Sequence, residues 1–303
     1  MNSLSFLQKR SSLLHLVAPY SWLDDRYWIE HHFLQKLGYR LNLKDPKTFN
    51  EKLNWMKLYD RNPLYTTLAD KYRVKEYIEK EIGPGNTTRL YAVYKNAEEI
   101  EWDQLPAEYV IKTNHGAGMI LYNDGSGELD LDKAKRKLNR WMGQNLYQKS
   151  REWQYKNIEP RIIIEEKIFP ATDFGVTDYK FYCFNGEPEI LCVVINRYSN
   201  RTQLFLDMNW TPLSVGYEDR PPATISIPKP ENFAEMVEIT RTLTKGLRFC
   251  RLDLYNEGKI LFGEFTFMPL RGFQKFIPVE YDLHLGGLLD TSWKYQDKNA
   301  ELL

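Results

Sequence analysis

The sequence contains little cysteine and no excess of charge. Three of its 303 residues are cysteine, and Cys183, Cys192 and Cys250 form no C-x-x-C pair. This number and spacing argue against a disulfide framework or a zinc site, so we expect buried, reduced thiols in a cytoplasmic protein. Lysine plus arginine and aspartate plus glutamate both total 41. Because no net positive field results, we expect no nucleic-acid partner.

Long apolar runs are also lacking. No stretch of about 18 apolar residues is present, so we expect no transmembrane segment. The N-terminal stretch MNSLSFLQKRSSLLHLVAPYSWL has an apolar part, but charged residues interrupt it. No small-residue cleavage site follows, so the stretch is not typical of a signal peptide.

Helical periodicity characterises the beginning of the chain. DDRYWIEHHFLQKLGY and TFNEKLNWMKLYDRNP have apolar residues at helical spacing, and Thr48 and Asn50 are candidate N-caps of the second segment. LADKYRVKEYIEKEIGPG is expected to form another helix, which ends at Gly83. We therefore expect a helical N-terminal region over residues 1–65.

Strands and helices are mixed in the rest of the chain. EYVIKT, RIIIEEKI and DYKFYCFNGEPEILCVVINRY have the β-branched and aromatic character of strands, and Asn185-Gly186 is typical of a hairpin turn. Mostly antiparallel strands interspersed with helices indicate an α+β fold. We expect one lobe over residues 66–165 and a second over 166–303.

The segment DLDKAKRKLNRWMGQNLYQ predicts a helix. Asp130 and Asp132 are both candidate N-caps, because an aspartate side chain accepts hydrogen bonds from the first backbone N–H groups. The predicted buried stripe consists of Leu131, Ala134, Leu138 and Trp141. The Asp-Leu-Asp sequence is thus better explained as a helix start than as the D-x-D metal motif of a glycosyltransferase.

A strand lysine precedes a run of small residues in VIKTNHGAGM. Lys112 is followed by Asn114, His115 and the sequence Gly116-Ala117-Gly118. Small residues let the backbone approach a ligand closely, and successive N–H groups in such a turn can bind an anion. The lysine would add a positive charge for phosphate oxygens. An ordinary hairpin with a surface lysine is the alternative, and the spacing is not that of a Walker loop.

Acidic residues end or interrupt several apolar strands. Glu165 and Glu166 follow an apolar run, either where the strand reaches solvent or as a hinge beside a planar base. Asp178 and Lys180 lie two residues apart in TDYKFYCF and therefore share one face of a strand. They predict either a surface ion pair or part of a ligand site.

The stretch CRLDLYNEGKILFGEFTFMP places two carboxylates in apolar strand sequence. Asp253 shares a strand face with Arg251, and a turn after Asn256 brings Glu264 onto the neighbouring strand. A carboxylate at such a position is costly to bury without a partner. The two acids therefore either pair with a cation or converge on Mg²⁺, which accepts few protein oxygens together with waters and phosphates.

The order of these segments resembles the nucleotide site of the ATP-grasp superfamily over roughly residues 66–270. PKTFNEKLNWMKLYDRNPLYTTLADKYRVKEYI, VIKTNHGAGM and DYKFYCFNG resemble, more specifically, the TupA-like, teichuronopeptide-biosynthesis type of ATP-grasp protein. That likeness extends over almost the whole chain. It implies an ATP-grasp fold, in which two α+β lobes clamp ATP, with ATP and Mg²⁺ as cofactors.

The resemblance implies a phosphate-binding role for two lysines and one loop. Lys112 would hold the α- and β-phosphates, and Lys71, in ADKY, matches the lysine that opens many grasp domains. The mobile loop over the phosphates would consist of Asn114, His115, Gly116, Ala117 and Gly118. His115 would either touch the γ-phosphate or serve as a turn residue.

The base and the ribose would be bound by the segment after the apolar strand. Glu165 and Glu166 would occupy the adenine hinge, and Ile168 would lie against the base. Asp178 stands where an acid that binds the ribose is usual.

The metal and the reacting groups would be bound by the last strand pair. Asp253 and Glu264 would ligate Mg²⁺, and Arg251 would stabilise the acyl phosphate, while Lys180 would face the phosphates. The family motif usually ends in Asn, and Thr266 stands in that place here. A threonine hydroxyl is a weaker ligand, which puts a second metal ion in doubt.

The implied activity is that of an ATP-dependent carboxylate–amine ligase. It would form an amide through an acyl phosphate, joining an amine or amino acid to a uronic acid of a capsule, O-antigen or related polysaccharide. The partners would be a carboxylate acceptor and an amine donor, with peripheral association with a polysaccharide-assembly system. A glycosyltransferase and an ATP-dependent sugar kinase remain alternatives. Candidate anchors for the acceptor are Arg197, Arg201 and Arg271, each otherwise an ordinary surface arginine.

Overall fold

The computed structural model describes residues 24–125, 129–195, 201–223 and 225–292. Arg197 lies outside these residues. The helices are α1 (Asp25–Leu37), α2 (Phe49–Tyr59), α3 (Leu64–Ala69), α4 (Val74–Ile82), α5 (Leu131–Met142), α6 (Leu146–Ser150), α7 (Phe233–Thr244) and α8 (Glu280–Leu288). Among the described residues, no helix has the length and apolar character needed to cross a membrane.

Two separate antiparallel sheets dominate the fold. The first contains β1 (Leu90–Tyr94), β2 (Tyr109–Thr113), β3 (Ile120–Asn123) and β4 (Ile162–Glu165) in the order β1-β4-β2-β3. The second contains β5 (Asp178–Phe184), β6 (Glu187–Ile195), β7 (Thr202–Asp207), β9 (Phe249–Asn256) and β10 (Ile260–Thr266) in the order β10-β9-β5-β6-β7. A short ribbon pairs β8 (Gly216–Tyr217) with β11 (Phe276–Ile277). The predicted α+β fold is confirmed.

Local signals explain where the N-terminal helices begin. The Asp24 side chain accepts hydrogen bonds from two backbone N–H groups at the start of α1. Thr48 and Glu51 form a capping box at the start of α2, so Thr48 rather than Asn50 is the N-cap. Both predicted helices are confirmed.

The predicted single helix over LADKYRVKEYIEKEIGPG is wrong, because the segment is divided between α3 and α4. Asp70 ends α3, and its side chain accepts hydrogen bonds from the backbone N–H groups of Tyr72 and Arg73. An aspartate that bonds to the backbone two or three residues onward competes with helical hydrogen bonding. This break places Lys71 in a turn rather than on a helix.

The helix predicted after residue 128 is α5, and its N-cap is Asp130. Ala134, Leu138 and Trp141 are buried as predicted, but Leu131 is 41% exposed, so its assignment to the buried stripe is wrong. Leu131 is the first residue of α5, so it lies at the N-terminal end of the helix rather than between the helix and the four-stranded sheet. Because Asp130 accepts a hydrogen bond from the Lys133 N–H, the helix-start interpretation of Asp-Leu-Asp is supported.

Two hydrophobic clusters accompany the two sheets. The smaller cluster lies between the four-stranded sheet and α5, with Ile111, Ile162 and Leu138 fully buried. The larger cluster joins α2, α3, α4 and α7 to the five-stranded sheet. All three cysteines are free and belong to the larger cluster, in agreement with the expected buried thiols.

Candidate active site

A cavity lies where the edges of the two large sheets face each other. Its empty space measures about 1220 Å³, part of which is open to solvent. Eight of the predicted site residues line it: Lys71, Lys112, Gly118, Glu165, Glu166, Ile168, Asp253 and Glu264. Residues about 180 positions apart in the sequence therefore share one cavity.

Glu165 forms the centre of a charged cluster on the four-stranded sheet. Its side chain is 3% exposed, and its two carboxylate oxygens each lie 2.8 Å from a lysine Nζ, one of Lys75 and one of Lys112. Burial alone would raise the pKa of Glu165, but the two lysines outweigh burial and lower it below its usual value. The Glu165 carboxylate is therefore ionised at neutral pH and fixes both lysine side chains beside the cavity.

Glu166 continues the strand pairing beyond the end of β4. Its backbone N–H donates to the carbonyl oxygen of Arg89 at 2.9 Å, and its Oε1 accepts from the Arg89 N–H at 2.9 Å. Residues 166–168 pass along the cavity wall. Its role as the adenine hinge stays a prediction.

Lys71 and the small-residue turn are in direct contact. The Lys71 Nζ donates a hydrogen bond to the Gly116 carbonyl oxygen at 2.6 Å. Burial lowers the pKa of Lys71, whereas nearby Glu264 raises it, and burial has the larger effect. Gly118, with φ of +71°, and Ala117 are exposed at the tip of the turn.

Asn114 and His115 do not contribute to the cavity lining in the described structure, although the resemblance implies that they belong to a mobile loop. Asn114 is 1% exposed, and its Nδ2 donates to Asp70 Oδ1 at 2.9 Å while its Oδ1 accepts from the Arg161 N–H at 2.7 Å. His115 is 2% exposed, and its Nε2 lies 3.2 Å from the Trp141 carbonyl oxygen. Burial lowers the pKa of His115. Their contacts join the turn to neighbouring elements.

The second charged cluster surrounds Asp253 on the five-stranded sheet. The Asp253 Oδ1 accepts from Arg251 Nε at 2.6 Å, and Oδ2 accepts from Arg251 Nη2 at 2.8 Å. Lys180, on the neighbouring strand, also donates to Oδ2 and lies 3.4 Å from Asp178. Burial raises the pKa of Asp253, but Arg251 and Lys180 outweigh burial and lower it.

Glu264 lies opposite Asp253 on the adjacent strand because β10 has an irregularity between Phe262 and Glu264. Gly263 occupies this position, where a Cβ atom would lie 2.9 Å from the Asp253 carbonyl oxygen. Only glycine permits this close approach of the two strands. The Glu264 Oε1 accepts from Arg251 Nη2 at 3.1 Å and from the Thr266 hydroxyl at 3.3 Å.

Asp253 and Glu264 thus each have a cationic neighbour, and both line the cavity. An ionised carboxylate has about four lone-pair positions, so hydrogen bonds from Arg251 and Lys180 leave Asp253 able to ligate a metal ion. The Glu264 side chain is 41% exposed and therefore accessible. Two carboxylates with waters and phosphates suit Mg²⁺, so the donor set fits that ion. Within the described residues, no group of three or more His, Cys, Asp or Glu side chains could hold a metal ion.

The remaining predicted residues lie behind the cavity wall. Asp178 is 2% exposed and Lys180 is 8% exposed, and both interact with each other and with neighbouring groups. Arg251 lies behind the two carboxylates. Burial lowers the pKa of Arg251, but Asp253 raises it by more, so that this pKa lies well above its usual value. Arg251 Nη2 also donates to the Thr266 hydroxyl at 3.0 Å. Lys180, Arg251 and Thr266 each hydrogen-bond to Asp253 or Glu264, and Asp178 contacts Lys180.

Several cavity residues were not predicted from the sequence. Lys75 is the most important, since it shares Glu165 with Lys112 and also donates to the Thr88 carbonyl oxygen at 2.7 Å. Its place in ADKYRVK, four residues after Lys71, was the available signal. Apolar side chains also line the cavity: Val74, Val110, Met119, Ile120, Val176 and Phe262.

Comparison with known proteins identifies a family that matches most of the chain. The family model described as TupA-like ATPgrasp matches residues 51–290. No curated protein matches the chain significantly. Two of the similar solved structures are D-alanine–D-alanine ligases, one from Bacillus anthracis complexed with ATP and one from Helicobacter pylori.

The structural similarities are distant. The chain and the Bacillus anthracis ligase are 15% identical, with a TM-score of 0.37, and the match covers 66% of this chain and 55% of that one. For the Helicobacter pylori ligase the identity is 10%, the TM-score 0.42 and the two coverages 82% and 68%. D-cycloserine synthetase DcsG is 15% identical, with a TM-score of 0.41 and coverages of 75% and 71%. The chain therefore spans little more than half of the first of these relatives. Because the family model matches well over half of the sequence, the chain belongs to the TupA-like ATP-grasp family.

Proposed function

We propose that this protein is an ATP-dependent ligase that joins a carboxylate to an amine, forming an amide and releasing ADP and phosphate. The observation that carries the proposal is the cavity in which Lys71 and Lys112 from one side face Asp253 and Glu264 from the other. Cations for phosphate oxygens and carboxylates for Mg²⁺ are the groups that ATP requires. Membership of an ATP-grasp family supports ATP as the nucleotide.

The reaction proceeds in two balanced steps. A carboxylate oxygen of the acceptor attacks the γ-phosphorus of ATP, and the bond from that phosphorus to the ADP oxygen breaks, which yields an acyl phosphate. The amine nitrogen then attacks the acyl carbon, phosphate leaves, and the amine loses a proton as the amide forms. Bound Mg²⁺ would be held by Asp253 and Glu264 and would neutralise phosphate charge.

The residues of the chain act by positioning and by charge. Lys71 and Lys112 bind phosphate oxygens, with Glu165 orienting Lys112. Arg251 keeps Asp253 ionised and directs its carboxylate toward the cavity. The exposed turn at Ala117 and Gly118 can approach bound phosphates and exclude water from the acyl phosphate.

The finer proposal concerns the substrates. We propose that the carboxylate belongs to a uronic acid of a cell-surface polysaccharide and that the second substrate is an amino acid or another amine. The resemblance of VIKTNHGAGM and DYKFYCFNG to the teichuronopeptide-biosynthesis type supports this proposal. The alternative that Asp-Leu-Asp is the D-x-D metal motif of a glycosyltransferase gains no support, because Asp130 caps α5.

Thermal stabilisation by Mg-ATP tests the nucleotide site. At 100 times its dissociation constant, a ligand should stabilise the protein by about 2.7 kcal/mol, which raises the melting temperature by a few degrees. ATP without metal, UDP-sugars and GDP-sugars serve as comparisons. A response to sugar nucleotides alone would contradict the proposal and favour a glycosyltransferase.

Product analysis then distinguishes the reaction types. A ligase forms ADP and phosphate only when both a uronic acid and an amine are supplied. Formation of a stable phosphorylated sugar without any amine would instead identify a kinase. ATP-independent transfer of a sugar would identify a glycosyltransferase.

A further inference from the structure

Asn114 is a buried polar residue to which the proposed reaction gives no role. It follows β2 directly and begins the small-residue turn. The residue is 1% exposed and lies outside the lining of the ATP cavity, so it does not reach a nucleotide bound there. Buried polar groups are normally hydrogen-bonded, and the partners of Asn114 therefore indicate what it does.

The Asn114 side chain uses both ends of its amide. Nδ2 donates to Asp70 Oδ1 at 2.9 Å and to the Glu159 carbonyl oxygen at 3.0 Å. Oδ1 accepts from the Arg161 N–H at 2.7 Å. An amide has two N–H donors and one carbonyl oxygen, so each of these groups has a partner. Aspartate has the same shape but could not donate to Asp70.

The backbone of Asn114 contacts the same neighbours. Its carbonyl oxygen accepts from the Lys71 N–H at 3.1 Å, and its own N–H donates to the Arg161 carbonyl oxygen at 3.1 Å. Backbone and side chain together thus connect Asn114 to two segments, residues 70–71 before α4 and residues 159–161 before β4.

Lys71 is the group through which these contacts reach the cavity. It follows Asp70, whose side chain forms the turn that separates α3 from α4. Lys71 lines the cavity, and its Nζ donates to the Gly116 carbonyl oxygen at 2.6 Å. The lysine is therefore held at two points, at its backbone N–H by Asn114 and at its Nζ by the turn that Asn114 begins.

Holding a lysine in this way favours the binding of phosphate. The lysine side chain is a flexible four-carbon stem, and ordering it costs conformational entropy. A group that is already ordered before the ligand arrives loses less on binding. Because Lys71 and the turn are bonded to each other through Asn114, the cation and the turn keep one relative position before a nucleotide enters.

We propose that Asn114 is a positioning residue for ATP binding and that it acts through Lys71. Its side chain joins the turn at Asp70 to the segment before β4, which fixes Lys71 against the small-residue turn. This role rests on the proposed function, because it requires ATP in the cavity. It also differs from the role implied by the resemblance, since Asn114 anchors the turn and only the exposed tip at Ala117 and Gly118 approaches the phosphates.

The variant Asn114→Asp tests this role. It keeps the shape of the side chain, but both donors are lost and a second carboxylate faces Asp70. We expect the dissociation constant of Mg-ATP to rise about tenfold, because a charge-assisted hydrogen bond from Lys71 is weakened. Calorimetric titration of the full chain, at a temperature where circular dichroism shows the variant folded, measures this change. Unchanged affinity would overturn the proposal.

A second variant covers the case in which Asn114→Asp does not fold. Asn114→Ser introduces no charge and removes the bonds to Asp70 and Glu159, so it should weaken Mg-ATP binding in the same direction. Unchanged affinity in this variant would equally overturn the proposal.

The variant Lys71→Ala identifies the route of the effect. Once the cation is absent, addition of Asn114→Asp should weaken Mg-ATP binding no further. Effects that multiply in the double variant would show that Asn114 does not act through Lys71, and would contradict the proposal.

Asn54→Asp is the matched control. Asn54 is also a buried asparagine, and its Nδ2 donates to two backbone carbonyl oxygens, neither of which belongs to a residue that lines the cavity. This variant should have a lower melting temperature and an unchanged affinity for Mg-ATP. A tenfold loss of affinity here would show that destabilisation alone is sufficient, and would oppose the role of Asn114.

Amide hydrogen exchange without nucleotide separates the contacts of Asn114 from ATP binding. The Lys71 and Arg161 amides bond directly to Asn114, so they should exchange faster in Asn114→Asp, and unchanged rates would contradict the proposal. Failure of the wild type to bind Mg-ATP would refute the proposed nucleotide site and with it this role of Asn114. Wild-type binding of Mg-ATP that is unaffected by Asn114→Asp would refute the role of Asn114 alone.

Discussion

Glu165 and Asp253 lie on different sheets, yet their surroundings are alike. Each is a buried carboxylate, 3% and 2% exposed, and each is held by two cations beside the same cavity. The cations differ in origin. Arg251 comes from the same strand as Asp253, whereas the lysines of Glu165 come from α4 and β2. The Asp253 cluster therefore has one local cation, Arg251, and one from β5, Lys180, whereas the Glu165 cluster depends on three elements meeting.

This difference separates two ways of building a charged site. The Arg-x-Asp pattern places both partners on one strand face, so strand formation is enough to bring them together. The Glu165 cluster forms only when Lys75 of α4, a helix that packs with the five-stranded sheet, meets Glu165 and Lys112 of the four-stranded sheet. We expect the first cluster to control chemistry and the second to control the position of the lysines.

The largest effect should come from Asp253→Asn. The substitution removes a carboxylate that would ligate Mg²⁺, and we expect ATP turnover to fall on the order of 10³-fold, as when one group that stabilises transition-state charge is lost. Steady-state ADP formation measures this, and circular dichroism checks the fold. Glu264→Gln should have an effect in the same direction. Wild-type turnover by either variant would refute the metal assignment.

A smaller effect is expected from Glu165→Gln, which leaves two lysines without their carboxylate. The loss of charge-assisted hydrogen bonds should lower the free energy of unfolding by about 1.5–3 kcal/mol at neutral pH. Chemical denaturation measures the difference. Glu166→Gln, which alters the half-buried neighbouring carboxylate, is the matched control.

The difference in unfolding free energy between the wild type and Glu165→Gln should become smaller at acidic pH. The folded pKa of Glu165 is lower than its usual value of 4.5, so its stabilisation is fully present above pH 4.5 and is lost as the pH falls through the folded pKa. The stability gap between the wild type and Glu165→Gln should therefore be constant from pH 6 to 8 and shrink below about pH 4.5. A gap that stays constant at acidic pH would show that the ion pairs do not stabilise the fold.

The smallest expected difference lies in the stability of the two sheets. The hydrophobic cluster of the four-stranded sheet is small and separate, whereas the five-stranded sheet is packed by helices from much of the chain. Amide hydrogen exchange should therefore be faster in β1–β4 than in β5, β6 and β9. Binding of Mg-ATP should slow exchange mainly around Lys112 and Glu165. Slower exchange in the smaller sheet would contradict this comparison.

Much of the fold could be predicted because its signals are local. The capping box at Thr48 and Glu51, the Asn185-Gly186 turn and the β-branched run Ile162–Ile164 each act within a few residues. The same holds for Arg251 and Asp253. The break at Asp70 was missed because a single side-chain hydrogen bond competes with the helical pattern there, and periodicity does not detect it.

By itself, the sequence determined the elements and the chemistry available in each of them, since the alternation of side chains along a strand or helix depends only on the neighbouring backbone. Only the tertiary structure decided which elements meet. It brought Lys75 to Glu165, and Lys57 of α2 to the carbonyl oxygen of Arg271, which is 214 residues away in the sequence. Such contacts depend on how whole helices and sheets bury their apolar faces, and no pattern of a few residues specifies that packing.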